Sequence, residues 1–172
     1  LKRAGRERDT LVIFTSDNGG ERYSYNWPFS GEKFDLYEGG TRVPAIARWP
    51  GVIAANATTD QPAVTMDWTA TMLAVAGAAA DPRYPLDGES LVPALRGERT
   101  VRERALFWRT RTRGAARIGN WKYLQNAEGE HLFDLGVDLG EKAELKAKHP
   151  DVFASVKGRY DAWAAQMLPR PT

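Results

Sequence analysis

The chain has 172 residues, of which 42% are hydrophobic and 27% charged, and its 24 basic and 22 acidic side chains leave a net charge of +2. This composition is that of a globular protein of about one to one and a half domains, without a strong field toward nucleic acid or membrane. Cysteine is absent and only two histidines occur, which excludes disulfides, thiolate metal sites, cysteine nucleophiles and multi-histidine zinc sites. No apolar run is long enough to cross a bilayer.

The first ten residues are basic and resemble the end of a helix, with Gly5 in the position of its C-terminal cap. The chain also starts on leucine rather than methionine. We therefore expect it to begin inside a larger protein, whose compartment these residues leave open.

Leu11–Phe14 form a continuous apolar run, which predicts a central parallel strand covered on both faces in an α/β sheet. The run ends in a polar, glycine-rich turn that contains Asp17 and Asn18. Binding sites of open α/β sheets lie at the carboxyl ends of strands, and carboxylate and amide oxygens suit calcium or magnesium. The same residue types are also common in plain turns, so the dipeptide alone leaves both interpretations open.

Residues 21–44 lack helical or strand periodicity and are rich in glycine, aromatic and charged residues, which predicts a long, ordered loop. Lys33 lies within it. A lysine on such a loop is suited to hold an anionic oxygen, although most lysines are solvated surface residues.

The same loop contains a Glu-Gly-Gly-Thr-Arg sequence. Glu38 and Arg42 are spaced to form an ion pair, and Gly39 and Gly40 indicate backbone torsions or close approaches that side chains forbid. A further strand is predicted over residues 45–49.

A helix is predicted from Asp67, as its N-cap, to Ala76, with Gly77 in the C′ position. Residues 78–100 are mostly connection. They place a boundary between a first domain of residues 1–97 and a small terminal α+β unit of residues 98–172.

The second part changes in pattern to short strands followed by one amphipathic helix. Gly119 and Asn120 suit a two-residue hairpin turn, Pro150 suits the first turn of the helix and Pro169 its end. The predicted strands are Arg104–Thr110, Ala115–Ile118, Trp121–Gln125 and His131–Leu135, and the helix presents Val152, Val156, Tyr160, Trp163 and Met167 on one face.

Taken in order, these segments resemble the second half of the sulfatases, which belong to the alkaline phosphatase superfamily. The resemblance covers nearly the whole chain, and the ordered set of motifs is far more specific than any one of them. The motifs are LVIFTSDNGG (residues 11–20), GEK (31–33), YEGGTRVP (37–44), ARWPG (47–51), DWTATML (67–73), LDGESL (86–91), NWKY (120–123) and LFDL (132–135).

The resemblance implies an α/β fold: the C-terminal part of a sulfatase or alkaline-phosphatase-like sheet domain, then a four-stranded antiparallel sheet with a C-terminal helix. It also implies roles. Asp17 and Asn18 are expected to complete a calcium site, with magnesium the lesser alternative, and Lys33 to contact the sulfate group. Glu38, Gly39, Gly40 and Arg42 are expected to form the loop scaffold.

Sulfatases use a formylglycine made from Cys or Ser in a Cys/Ser-x-Pro/Ala-x-Arg motif. This chain has no cysteine, and Ser155 precedes Arg159 at the right spacing but with lysine at the third position, inside the predicted terminal helix. The resemblance therefore implies a fragment of a sulfuric ester hydrolase whose nucleophile lies in a missing N-terminal half. We expect the chain to be inactive alone and prone to self-association through exposed apolar surface.

Two alternatives stay open at this point. One is a fragment of a phosphonate or phosphate monoester hydrolase of the same superfamily. The other is a non-catalytic anion-binding module, suggested by arginines interleaved with aromatic residues between positions 96 and 121. Acidic residues interrupt that series and the whole chain is nearly neutral, so nucleic acid is not expected as a partner.

Overall fold

The computed structural model describes residues 1–98, 101 and 103–169. Their contacts form two compact units: Leu1–Asp17 with Pro44–Arg102, and Asn18–Val43 with Glu103–Thr172. The loop of residues 18–43 thus groups with the terminal sheet. The domain boundary expected at residue 97 stays a prediction. Among the described residues, no helix combines the length and apolarity that crossing a membrane requires.

The first unit contains a two-stranded antiparallel sheet, in which β1 (Val12–Thr15) pairs with β2 (Ala45–Arg48). The expectation of a parallel strand covered on both faces is wrong for the described residues. Phe14 is 64% exposed, and its cross-strand partner Ile46 is 60% exposed. The apolar run was sufficient to predict a strand, but the direction of its partner depends on a segment thirty residues away.

The helices of this unit are α2 (Met66–Val75) and the short α3 (Val92–Leu95). Asp67 lies inside the first turn of α2 rather than at its N-cap, so that prediction is wrong. Its fully buried carboxylate accepts hydrogen bonds from the backbone N–H groups of Val64 and Glu89, which ties the helix start to the following segment. Gly77 has φ +66 and closes the helix, as predicted.

The second unit contains a four-stranded antiparallel meander of β3 (Ala105–Arg109), β4 (Gly114–Ile118), β5 (Trp121–Asn126) and β6 (Gly129–Asp134). These four strands confirm the prediction. Ile118 pairs with Trp121, and Gly119 has φ +57 at the first position of the two-residue turn, where glycine has no steric cost.

Helix α4 (Pro150–Ala164) follows the sheet, begins at the predicted proline and packs on one sheet face. Its Val156 and Tyr160 are buried there, and the Tyr160 ring lies 5.1 Å from that of Tyr123. Apolar residues therefore alternate along β4 and β5 between this face and the other one.

The opposite sheet face is covered by the loop of residues 18–43. Leu36 is buried against Ala115, Leu124 and Phe133. Directly after it the chain forms a one-turn helix, α1 (Glu38–Thr41). The terminal sheet therefore has a helix on one face and the predicted functional loop on the other.

Candidate functional site

Asp17 and Asn18 follow β1 immediately, as the sequence predicts. Asp17 is exposed and Asn18 half-buried, and both lie in an irregular turn. Two oxygen-bearing side chains are hard donors of the kind calcium takes, but calcium typically needs about six to eight oxygens. Within residues 1–98, 101 and 103–169, no group of three or more Asp, Glu or His side chains is arranged to hold a metal ion. The donor set therefore fits calcium in kind and supplies only part of a shell.

Lys33 is half-buried on the loop, and its backbone is held in place. Its N–H donates to the carbonyl of Gly20 over 2.9 Å. Its ammonium group lies 3.3 Å from the Glu21 carboxylate and 5.4 Å from the centre of the Phe34 ring. The lysine thus presents its ammonium group near the loop surface, beside the exposed carboxylate of Glu21.

The glycines of the loop allow backbones to approach closely. The Gly19 N–H donates to the Gly40 carbonyl over 2.9 Å, and a Cβ built on Gly19 would lie 1.8 Å from the Gly39 oxygen. A Cβ on Gly39 would lie 2.3 Å from the Gly31 oxygen, and a Cβ on Gly40 equally close to that of Asp35. The segment carrying Asn18 and the segment carrying Lys33 are therefore both packed on α1.

Glu38 and Arg42 form the expected ion pair, with 3.3 Å between Arg42 Nη1 and Glu38 Oε2. Glu38 is buried, however, and has a stronger partner that the sequence did not reveal. Lys122 of β5 is fully buried, and its Nζ lies 2.8 Å from Glu38 Oε1. The loop scaffold is thus attached to the terminal sheet by a buried charge pair.

Glu141 is the third member of this cluster, and sequence reasoning missed it too. Its Oε1 lies 2.9 Å from Lys122 Nζ, although off the line of a hydrogen bond, and its Oε2 accepts the Glu38 N–H over 2.6 Å. Glu141 also has φ +52, in the left-handed region that non-glycine residues seldom adopt. A signal did exist for Lys122: it is a charged residue within an otherwise apolar strand segment.

The two carboxylates have opposite pKa shifts. Burial raises the pKa of Glu141, and the attraction of Lys122 offsets this only in part. Burial also acts upward on the pKa of Glu38, but the combined effect of Lys122, Arg117 and Arg42 lowers it below its usual value. Glu38 is therefore the carboxylate that holds its charge, because cations surround it on more sides.

The sequence profile of the family described as Sulfatase matches residues 1–78. A sulfatase from Formosa agariphila is 33% identical in an alignment 190 residues long, which covers 94% of this chain and 34% of that protein. N-acetylgalactosamine-6-sulfatase from Sus scrofa is 38% identical over 128 residues, covering 71% of this chain and 24% of that enzyme.

The chain belongs to the sulfatase family. Its fold agrees with that assignment. A crystal structure of Ps i-CgsB in complex with k-i-k-neocarrahexaose matches 95% of this sulfatase chain with a TM-score of 0.86 and 27% identity, and 38% of that protein is covered. The PsFucS1 sulfatase from Pseudoalteromonas sp. has the same fold over the whole chain, with a TM-score of 0.79 and 24% identity, and 40% of it is covered.

This sulfatase chain spans about a third or less of the length of the curated relatives described above. Its predicted site residues therefore remain predictions about a larger protein. The geometry of the chain itself brings the Asn18 and Lys33 segments onto α1, and attaches α1 through Glu38 to the terminal sheet.

Proposed function

We propose that this chain is part of a sulfuric ester hydrolase and carries one wall of its active site. The observation that supports this most is its similarity to sulfatases along nearly the whole chain. In this proposal the substrate is a sulfate ester, and the formylglycine nucleophile comes from sequence outside these 172 residues. The chain by itself is then inactive.

The proposed roles follow from charge. The Lys33 ammonium binds a sulfate oxygen and offsets the negative charge that develops as the ester bond breaks. Asp17 and Asn18 would hold calcium through their side-chain oxygens, and calcium when bound supplies a second positive charge beside the sulfate. Glu38, Gly39, Gly40 and Arg42 keep the loop in the shape that presents these groups.

Replacement of Lys33 in a complete enzyme containing this chain tests the proposal. We expect Lys33→Ala to lower kcat/KM for 4-nitrophenyl sulfate by about a hundredfold or more, because one charge that stabilises the transition state is lost. The melting temperature should change little, since the partners of the Lys33 side chain among the described residues, Glu21 and Phe34, are exposed groups of its own loop. Steady-state kinetics and thermal unfolding measure the two effects.

The exposed Lys148, replaced by alanine in the same way, is the matched control and should leave turnover unchanged. Equal kinetics for the wild type and Lys33→Ala would remove Lys33 from the site. Parallel assays with an aryl phosphonate decide between this proposal and a phosphonate hydrolase, which would turn over the phosphonate faster than the sulfate.

Calcium binding provides an independent prediction. We expect calorimetry of the 172-residue chain to detect only weak calcium binding, because Asp17 and Asn18 provide too few of the roughly six to eight oxygens required. Chelation should inactivate the complete enzyme, and added calcium should restore it better than magnesium. A tight calcium site in the isolated chain would contradict the proposed division of the ligands.

A further inference from the structure

Lys122 lies in a place that normally excludes lysine. Its side chain is fully buried on the sheet face that residues 18–43 cover, with one carboxylate from the loop and one from the turn after β6. An ion pair at such a site regains little more than its desolvation cost, and apolar residues of similar volume often serve stability equally well. The charged groups instead make the contact specific, because the hydrogen bond from Lys122 Nζ to Glu38 Oε1 fixes the position of the Glu38 carboxylate.

Glu38 is the first residue of α1, so fixing it fixes the helix turn on which the predicted site segments pack. Gly40 of that turn accepts the N–H of Gly19, the neighbour of Asn18, and Gly39 donates to Ser30 over 2.7 Å. A Cβ added at Gly19, Gly39 or Gly40 would collide with backbone atoms, so the backbone of α1 packs directly against the backbones of these segments. A displacement of Glu38 would therefore be passed on to the predicted site.

The turn that carries Glu141 holds the loop at a second point. Ser30 Oγ donates to the Gly140 carbonyl over 2.6 Å and lies 2.8 Å from Lys142 Nζ. Ser30 precedes Lys33 by three residues. The same turn thus binds the start of α1 through Glu141 and the chain before Lys33 through Gly140 and Lys142.

We propose that Lys122 and Glu141 are positioning residues of the sulfatase site, which hold α1 and thereby set the placement of Asn18 and Lys33. The role rests on the proposed function, since it concerns the residues assigned there to calcium and sulfate. The terminal sheet is then part of the active-site framework.

The first test follows backbone amide hydrogen exchange in the 172-residue chain and needs no activity. In Lys122→Met, we expect the Gly19 and Gly39 amides to exchange at least about tenfold faster, while amides paired between β3 and β4 keep their protection. Lys157→Met is the matched control. Lys157 also holds two carboxylates, Glu130 and Asp161, and both lie outside the loop, so the loop amides should be unaffected.

The second test measures turnover of 4-nitrophenyl sulfate by a complete enzyme. Lys122→Met and the milder Glu141→Gln should each lower kcat by about 10- to 100-fold, because small misplacements of catalytic groups have effects of that size. Glu141→Gln should not lower the melting temperature, because it removes a buried carboxylate whose charged form burial disfavours. Lys122→Arg, which keeps the charge, should recover part of the lost kcat.

Unchanged loop exchange and unchanged kcat in both variants overturn the positioning role. If Lys122→Met loses protection throughout the chain, Glu141→Gln decides, and loop-specific loss of protection in it supports the role. A wild-type enzyme that does not hydrolyse sulfate esters overturns the proposed function instead. In that case the exchange test still applies, and loop amides that exchange at the wild-type rate in both variants would also reject the positioning role.

Discussion

Two buried glutamates share one buried lysine, and the structure gives them different acid–base behaviour. Glu38 is surrounded by Lys122, Arg42 and Arg117 and has a lowered pKa, whereas burial dominates at Glu141 and raises its pKa. One ammonium group does not fully compensate two desolvated carboxylates. At the scale of single residues, this imbalance predicts a specific dependence of stability on pH.

We expect Glu141 and Glu38 to change the free energy of unfolding in different pH ranges, Glu141 above pH 4.5 and Glu38 below it. A raised folded-state pKa gives stability that is present below the usual value of 4.5 and is lost as the pH rises through the folded pKa of Glu141. A lowered pKa gives stability that is present above 4.5 and is lost as the pH falls through the folded pKa of Glu38. Denaturant unfolding of the 172-residue chain from about pH 3 to about pH 8 measures both.

The single variants assign the two effects. Glu141→Gln should remove the loss of stability on the side above pH 4.5, and Glu38→Gln the loss on the side below it. Subtracting each curve from the wild type cancels the contributions of groups that do not interact with the substituted carboxylate. A difference curve of the opposite sign for Glu141 would show that Lys122 outweighs burial there.

Elements formed by local patterns were predictable from the sequence, and elements fixed by distant contacts were not. The strands β3 to β6 and the start of helix α4 follow from alternation, one Gly-Asn turn and Pro150, all within short windows. The expectation that the helix continues to Pro169 and includes Met167 is wrong, because α4 ends at Ala164. The partner of β1 and the side-chain role of Asp67 depend on residues about twenty to thirty positions away. The pairing of Glu38 with Lys122 spans 84 positions, and periodicity contains no information about it.

The same limit applies to the candidate site. Ordered motifs nominate Asp17, Asn18 and Lys33, whose roles stay predictions, and the Gly-Gly pair correctly indicates close backbone approach. The scaffold beneath them is only partly visible in the sequence. Lys122 belongs to the NWKY motif of residues 120–123, whereas no motif marks Glu141.

Close packing of α1 on the Asn18 segment leads to a prediction at the level of elements. Gly19→Ala should strongly destabilise the loop, because its Cβ would collide with the Gly39 carbonyl carbon and oxygen, which are backbone atoms that cannot rotate away. We expect faster exchange of the loop amides and cleavage between residues 18 and 43 in limited proteolysis. The strands of the terminal sheet should keep their protection.

Gly158 provides a matched comparison within the same unit. It lies inside α4, and a Cβ there has open space within 4 Å. Gly158→Ala should therefore stabilise the chain by about 0.5–1 kcal/mol, the usual gain in helix propensity. If the two alanine variants behaved alike in thermal unfolding and proteolysis, the close approach at Gly19 would not constrain the loop.

At the scale of the whole molecule, the exposed apolar face of the β1–β2 sheet predicts how the chain behaves in solution. Phe14 and Ile46 are direct cross-strand partners and both are more than half exposed, with Val12 two residues along the same face. A two-stranded sheet is marginal by itself, and a contiguous apolar face of this kind favours association. We therefore predict that the 172-residue chain self-associates as its concentration rises.

Sedimentation velocity over a range of concentrations measures this association, and paired serine substitutions locate it. Phe14→Ser with Ile46→Ser should shift the chain toward monomer, whereas Val137→Ser, at a residue outside this sheet that is 85% exposed, should not. In a complete sulfatase the same double substitution should instead lower the melting temperature, if the rest of the enzyme covers this face. A chain that is monomeric at all concentrations would show that the face is tolerated in water, and a complete enzyme indifferent to the double substitution would show that it is never buried.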